Sequence, residues 1–184
     1  MTTTTKKTTP KTKTVKAKTV ATAIPKLPNN PFVYEVFEAC SKQKTKAKKI
    51  EVLKTYAHDS VMAVLIWNFD ETIVSLLPEG EVPYGNTRED NSVTGSLSDK
   101  INDAVGMMRE SGSSSLGSQD QGKASIRKEY TKFYNFLKGG NNGLSSLRRE
   151  TMFINILEGL HPLEAEILVL VKDKKLTDRY KITK

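Results

Sequence analysis

The chain has 184 residues, with 29 Lys+Arg against 21 Asp+Glu, one cysteine, and no apolar run longer than the seven residues 61–67. These features exclude an intrachain disulfide, a Cys-based zinc site and a helix of the roughly 18 apolar residues a bilayer span needs, and they suit one globular domain with its own core. The charge is segregated: residues 1–30 hold seven lysines and no acid, which leaves 22 Lys+Arg against 21 Asp+Glu in residues 31–184.

Residues 1–30 are Thr/Lys/Pro/Ala-rich, too poor in apolar surface to offset their ordering entropy, and are expected to be disordered in isolation. No apolar stretch follows the first lysines as in a signal peptide, and the lone Cys40 suits a reducing interior or a virion. Order is expected to begin at Asn29-Asn30-Pro31, an Asn cap followed by Pro in the first helical turn, with Phe32, Val36, Phe37 and Cys40 at helical spacing. A second helix from Thr45 places Ala47, Ile50, Leu53 and Ala57 on one face. A third opens after Asp59 as its cap, and residues 61–67 are apolar all round, the pattern of a helix in mid-core. Asp70 is placed to cap a turn over residues 72–77, which Pro78 stops.

Residues 85–122 contain six glycines and eight serines and read as a flexible insertion. Within it Leu97, Ile101, Val105 and Met108 predict one short helix over about 98–110, docking weakly. Residues 123–138 predict a helix with Ile126, Tyr130, Phe133, Tyr134 and Leu137 on its stripe and Phe136 off it. Gly139-Gly140-Asn141-Asn142-Gly143 ends that helix. Ser145 or Ser146 opens the next, with Leu147, Phe153, Ile154, Leu157 and Leu160 inward. Gly159 and Pro162 break it, and Pro162 starts a last apolar helix through Ile167, Leu168, Leu170 and Val171. The charged end from Lys172 onward has room for one more turn. The predicted fold is all-α: a compact bundle of six to eight helices over residues 31–184, interrupted by the insertion and preceded by the basic arm.

The arm is the strongest functional signal. A solvated polybasic segment neutralises phosphates and releases counterions, so Lys6, Lys7, Lys11, Lys13, Lys16 and Lys18 are candidate nucleic-acid contacts; a linker or solubilising tail is the bland reading. Lys46, Lys48 and Lys49, and Arg148 and Arg149, occupy the first turns of two predicted helices, where the dipole favours anions. They are candidate phosphate contacts as well, with pairing to Glu51 and Glu150 as the alternative. Residues 128–138 interleave lysines with aromatics as a single-strand stacking platform would, although the shared stripe points to core. The Gly139–Gly143 loop lacks the Gly-Lys-Ser/Thr ending of a P-loop and follows a helix. Glu158-Gly-Leu-His161 has the Glu-x-x-His spacing of di-iron bundles, in a single copy broken by Gly159 and Pro162, so His161 reads as a cap. No cofactor, metal site or catalytic constellation is expected.

Several segments together carry a resemblance: Pro31-Phe-Val-Tyr-Glu-Val-Phe-Glu-Ala39, Leu65-Ile-Trp-Asn-Phe-Asp70, Leu77-Pro-Glu-Gly-Glu-Val-Pro-Tyr84, Arg148-Arg-Glu-Thr-Met-Phe-Ile154 and Leu157-Glu-Gly-Leu-His-Pro162. Over about residues 31–84 and 123–183 the chain resembles an uncharacterised family of small proteins in tailed bacteriophages of the T-even-like cyanophage type. The resemblance leaves the arm and the insertion outside. It implies a phage product in the bacterial cytoplasm or the virion, and relatives that continue past the Tyr-Lys-Ile-Thr end. It supplies no activity and no site residues. The loop from Pro78 to Tyr84 has more character than a connection requires, so Pro78, Glu79, Val82 and Tyr84 are candidate partner contacts, with Tyr84 as the aromatic anchor. The expectation is a non-enzymatic accessory protein whose arm binds nucleic acid non-specifically. The alternative is a virion or assembly protein whose arm orders against a neighbouring subunit.

Overall fold

The computed structural model describes residues 25–83, 96–111 and 124–183. The described residues form eight α-helices: α1 (Val33–Ser41), α2 (Lys46–Thr55), α3 (Asp59–Phe69), α4 (Leu97–Ser111), α5 (Ile126–Glu129), α6 (Ser146–Gly159), α7 (Pro162–Lys172) and α8 (Leu176–Arg179). A 3₁₀ helix, Tyr130–Phe136, follows α5 directly. Among the described residues there is no sheet, only the isolated bridges Ser75–Leu137 and Ala124–Leu160. The all-α bundle is therefore what the helical periodicities predict.

At the centre lies α7, packed against α1, α3, α4, α6 and α8. Its Leu163, Ala165, Ile167, Leu168 and Val171 are buried, so a helix apolar on most sides occupies the middle of the core. A second centre is aromatic: Trp67 lies edge-on to Phe133 at 5.1 Å and stacked over Phe136 at 6.1 Å, and Phe136 meets Phe153 at 5.3 Å.

Pro25 and Leu27, ahead of the predicted Asn29, are already fixed to the body. The Tyr56 hydroxyl donates to the Pro25 carbonyl and accepts from Leu27 N–H, both at 2.9 Å. The first helix starts two residues later than Pro31, with Phe32 in the cap position. Three contacts set that start: Glu35 Oε2 accepts from Phe32 N–H at 2.8 Å, Arg127 Nε donates to the Pro31 carbonyl at 2.7 Å, and Glu164 Oε1 accepts from Val33 N–H at 3.0 Å. Carboxylates here do the work expected of an Asn side chain.

Thr45 caps α2 as predicted, accepting from Lys48 N–H. The buried face of α2 differs from the predicted stripe, because Val52 is its buried residue while Ala47 and Ala57 are exposed and Ile50 is 42% exposed. At α3 the cap is His58, whose Nδ1 accepts from Ser60 N–H at 3.1 Å, and Asp59 is the first helical residue. Contrary to the mid-core expectation, α3 turns one side outward: Val61, Val64 and Trp67 are buried, whereas Met62 is 50% and Ile66 47% exposed.

The segment read as an insertion contributes to the core. Leu97, Ile101, Val105 and Met108 of α4 are all buried, α4 packs along α7, and Arg109 donates to both carboxylate oxygens of Glu166 at 2.8 and 3.0 Å. The predicted helical spacing is right, but its docking is far from weak.

The largest departure lies at residues 123–138. A continuous α-helix would align Tyr130, Phe133, Tyr134 and Leu137. The 3₁₀ helix has three residues per turn and aligns Tyr130, Phe133 and Phe136 instead. Phe136 is consequently in the core, and Tyr134 is exposed. The turn that follows needs glycine for steric room: a Cβ on Gly140 would lie 1.9 Å from the Tyr134 carbonyl oxygen, and Gly139 has φ +85°. Ser145 then caps α6 by accepting from Arg148 N–H at 3.4 Å. Phe153, Ile154, Leu157 and Leu160 point inward as predicted, but Leu147 is 73% exposed.

The break between α6 and α7 follows the predicted signals, with Pro162 at the first position of α7 and His161 Nδ1 accepting from Leu163 N–H at 3.3 Å. Beyond α7, the Lys174 N–H bonds the Val171 carbonyl and the Lys175 N–H the Leu170 carbonyl, with Lys174 at φ 58°. This is a Schellman stop built on lysine, the conformation glycine favours. It turns the chain into α8, and Leu176, Tyr180 and Ile182 of the charged end are buried.

Candidate nucleic-acid interface

Lys6, Lys7, Lys11, Lys13, Lys16 and Lys18 lie outside the described residues. What the structure does place is the root of the arm. The Tyr56 latch holds Pro25 and Leu27 at the C-terminal end of α2, and Lys26 between them is exposed. Seven cationic side chains are therefore tethered to one point on the body. Tyr56 carried no signal beyond being an aromatic near a helix end, and sequence reasoning missed it.

The basic residues on the body differ in how far they reach solvent. Lys46 is exposed and Lys48 half-buried in the first turn of α2. Lys49 is committed elsewhere, since its ammonium donates to the Lys181 carbonyl and ties α2 to the chain's last residues. Arg148 is exposed on α6 and lines a shallow groove of about 620 Å³ with Lys132, Leu147 and Met152. Lys132 itself pairs with Glu129 at 2.6 Å.

Arg149 is a different residue from its neighbour. It is buried, with Nε donating to the Asn135 carbonyl at 2.7 Å and Nη2 to the carbonyls of Leu144 at 3.0 Å and Asn141 at 3.3 Å. Its guanidinium closes the glycine-rich turn onto the 3₁₀ helix, so its place in the first turn of α6 is explained by carbonyl oxygens rather than by an external phosphate. Arg149→Lys keeps the charge and loses the fork, which alone reaches three acceptors. We expect a cost of about 1–3 kcal/mol in urea unfolding, while Arg148→Ala shifts stability by no more than about 0.5 kcal/mol. Equal effects of the two would contradict this division.

The loop expected to dock a partner is bolted to the body. Leu77 and Val82 are buried, the Val82 N–H donates to Ser98 Oγ at 2.8 Å, and the Val82 carbonyl accepts from Leu97 N–H at 2.8 Å. Val82 is thereby removed from the partner contacts, because it anchors the start of α4. Pro78 and Glu79 are exposed, and Tyr84 lies outside the described residues. The Lys172 ammonium donates to the carbonyls of Pro78 at 2.7 Å and Gly80 at 2.9 Å, which accounts for much of the loop's sequence character.

Among the described residues the titratable groups that depart from ordinary behaviour are mostly buried; the exception is exposed Asp99, whose carboxyl is lowered by its hydrogen bonds with Ser96 at the start of α4. Burial pushes the Tyr34 hydroxyl up to about 12 and raises the Cys40 thiol, the latter opposed by Lys49. Burial also lifts the Glu164 carboxyl to about 7, against two amide hydrogen bonds that favour its charge. Among the described residues no three His, Cys, Asp or Glu side chains are grouped to hold a metal ion, and no helix is long and apolar enough to cross a membrane.

Residues 36–105 and 112–178 match the family described as "Family of unknown function (DUF6433)". The match leaves out the arm, extends into α4 as far as residue 105 and resumes at 112, so the segment expected to lie outside the family resemblance falls largely within it. No curated protein and no solved structure matches the chain. With well over half its length matched, the chain belongs to the DUF6433 family.

Proposed function

We propose that this member of the DUF6433 family is a non-enzymatic accessory protein, a helical body that carries a polybasic arm for sequence-independent contact with nucleic acid. One observation carries the reading: seven lysines and no acid in the first thirty residues, on a body whose charges nearly cancel. Phosphate neutralisation by Lys6, Lys7, Lys11, Lys13, Lys16 and Lys18 supplies the affinity, and Lys46, Lys48 and Arg148 add contacts from the body. The likeness to tailed-phage proteins extends the proposal to a phage product acting in the host cytoplasm.

A second reading is supported by the exposed apolar side of α3, which suits a subunit contact. In it the protein belongs to a virion or its assembly, and the arm orders against a neighbouring subunit.

Fluorescence anisotropy with labelled duplex DNA at several salt concentrations tests the first reading. Seven engaged lysines predict that log K falls by roughly 6 per decade of salt. A full-length variant with all seven changed to Gln should lose most of that slope. Undetectable binding by the wild-type chain at low salt would remove the nucleic-acid reading, and co-purification with particles in fixed stoichiometry would put the second in its place.

A further inference from the structure

The near-neutral charge of the body conceals a division. Residues 42–54 hold six lysines and one acid, Glu51, which leaves 16 Lys+Arg against 20 Asp+Glu in the rest of residues 31–184. One short stretch is strongly basic, and the remainder of the body is net acidic. In the structure that stretch is the loop after α1 together with nearly all of α2, whose buried residue is Val52. Lys42, Lys44, Lys46 and Lys54 are all exposed.

We infer that the outward face of α2 and the lysines around it form a folded platform for the phosphate backbone of duplex nucleic acid. The inference rests on the nucleic-acid reading and deepens it, because it puts the body's main contact on one face. Convergence is the first reason. The Lys49 ammonium holds the Lys181 carbonyl and so brings the exposed Lys181 beside α2. The Tyr56 latch sets the exposed Lys26 at the other end of the helix. Positions 26, 42, 44, 54 and 181, far apart in the chain, thereby bring their charges to one helix. The arm is attached at the edge of this face, so arm and platform meet neighbouring phosphates of one duplex.

Placement along the helix is the second reason. The first turn of α2 carries Lys46, Lys48 and Lys49 and no acid, at the end where the dipole favours anions. A phosphate bound there meets the dipole and the ammonium groups together. The chemistry of the face is the third. Residues 42–54 contain no aromatic and no arginine. Single-strand platforms stack bases on aromatic rings, and this face has none to offer. Lysines are point charges on flexible stems, which suit phosphates and carry no sequence preference. The dimensions agree as well. From Lys46 to Lys54 the helix rises about 12 Å, a length over which a duplex carries about seven charges. The net acidic remainder of the body turns the basic side toward the polyanion.

The test keeps the full chain. Changing Lys42, Lys44, Lys54 and Lys181 together to Gln should remove roughly 4 per decade of salt slope on duplex DNA, over and above the arm's share. Changing Lys100, Lys128, Lys138 and Lys175 to Gln removes the same charge from the acidic remainder and should alter the slope by less than about 1. All eight side chains are exposed, so thermal unfolding should match the wild type in both variants. On the wild-type chain, duplex DNA should protect Lys42, Lys44 and Lys54 from acetylation several-fold more than Lys100 and Lys175. Equal slopes for the two variants while the wild type still binds, or uniform acetylation, would overturn the platform and leave the arm as the whole site. No binding by the wild type at low salt would remove the nucleic-acid reading and the platform together. Tighter binding to poly-glutamate than to DNA, lost in the first variant, would assign the face to an acidic protein and overturn the proposal.

Discussion

Glu164→Ala is expected to destabilise the protein by about 3–5 kcal/mol in urea unfolding, more than loss of a surface carboxylate ever costs. The residue is in the first turn of α7, completely buried, and each of its oxygens takes the first amide of another helix: Oε1 that of Val33 in α1 at 3.0 Å, Oε2 that of Ile126 in α5 at 2.8 Å. Three helix N-termini therefore converge on one carboxylate, and their aligned dipoles and orphan amides are satisfied together. Alanine leaves two buried N–H groups without acceptors, and a cavity besides. Glu164→Gln is the finer probe. It preserves shape and one acceptor but turns an NH₂ group toward the other amide, for an expected loss of about 1–3 kcal/mol.

The same site makes stability depend on pH. Desolvation lifts the Glu164 carboxyl from 4.5 to about 7, outweighing the two amide bonds and Arg127, which pull the other way. A folded value above the unfolded one means that the native state binds the proton more tightly. The associated stability is fully present below about pH 4.5 and is lost as pH rises toward 7, by an amount on the order of 3 kcal/mol at most. Urea titrations at pH 5 and pH 7.5 should show the wild type losing stability over this interval and Glu164→Gln losing much less. Parallel pH profiles for the two proteins would show that the carboxyl is not the group responsible.

Why none of this was visible beforehand is a matter of range. The sequence pattern Pro162-Leu-Glu164 has an acid at the third helical position, which is where exposed acids commonly complement the dipole of their own helix. That Glu164 instead serves two other helices depends on residues 131 and 38 positions away. Most signals whose controlling contact is local were read correctly: the Thr45 and Ser145 caps, the Pro162 start, the His161 cap and the α4 stripe all lie within a few residues of their effects, the exception being α3, where His58 takes the cap expected of Asp59. The reading failed where tertiary packing chose between near-equal local options. A switch from 3.6 to three residues per turn exchanged Tyr134 for Phe136, because Trp67 and Phe153 offer Phe136 a place. Likewise, an all-apolar α3 gives no indication of which side stays uncovered. Of the candidate interface, the arm's charge is read directly from the sequence, whereas its point of attachment at Tyr56 is a contact between positions 29 and 31 residues apart.

Lys172→Met should cost about 3 kcal/mol and should loosen α4 at a distance. The ammonium is buried among the carbonyls of Pro78 and Gly80 and the Asp173 carboxylate, the last at 2.6 Å, and Asp173 Oδ2 in turn accepts from Gly80 N–H at 3.2 Å. Methionine retains the packing of the stem, so the loss isolates the charge. Its removal leaves Asp173 with a nearly buried negative charge and a single amide partner, the situation that makes breaking one half of a buried pair cost about 3–5 kcal/mol. We take the lower end because Pro78 and Gly80 are exposed and water can reach their carbonyls. Lys172→Met with Asp173→Asn removes both charges and should recover more than about 1 kcal/mol of that loss, a coupling that a double-mutant cycle reads directly. The effect at a distance follows from the path of the chain. The bolted loop leads to Val82, whose N–H and carbonyl hold Ser98 Oγ and Leu97 N–H at the start of α4. Hydrogen exchange at the Leu97 and Ser98 amides should therefore accelerate in Lys172→Met beyond what its global destabilisation explains. Exchange there that merely tracks global unfolding would mean that α4 is held by its apolar contacts with α7 alone, and that the loop only passes by it.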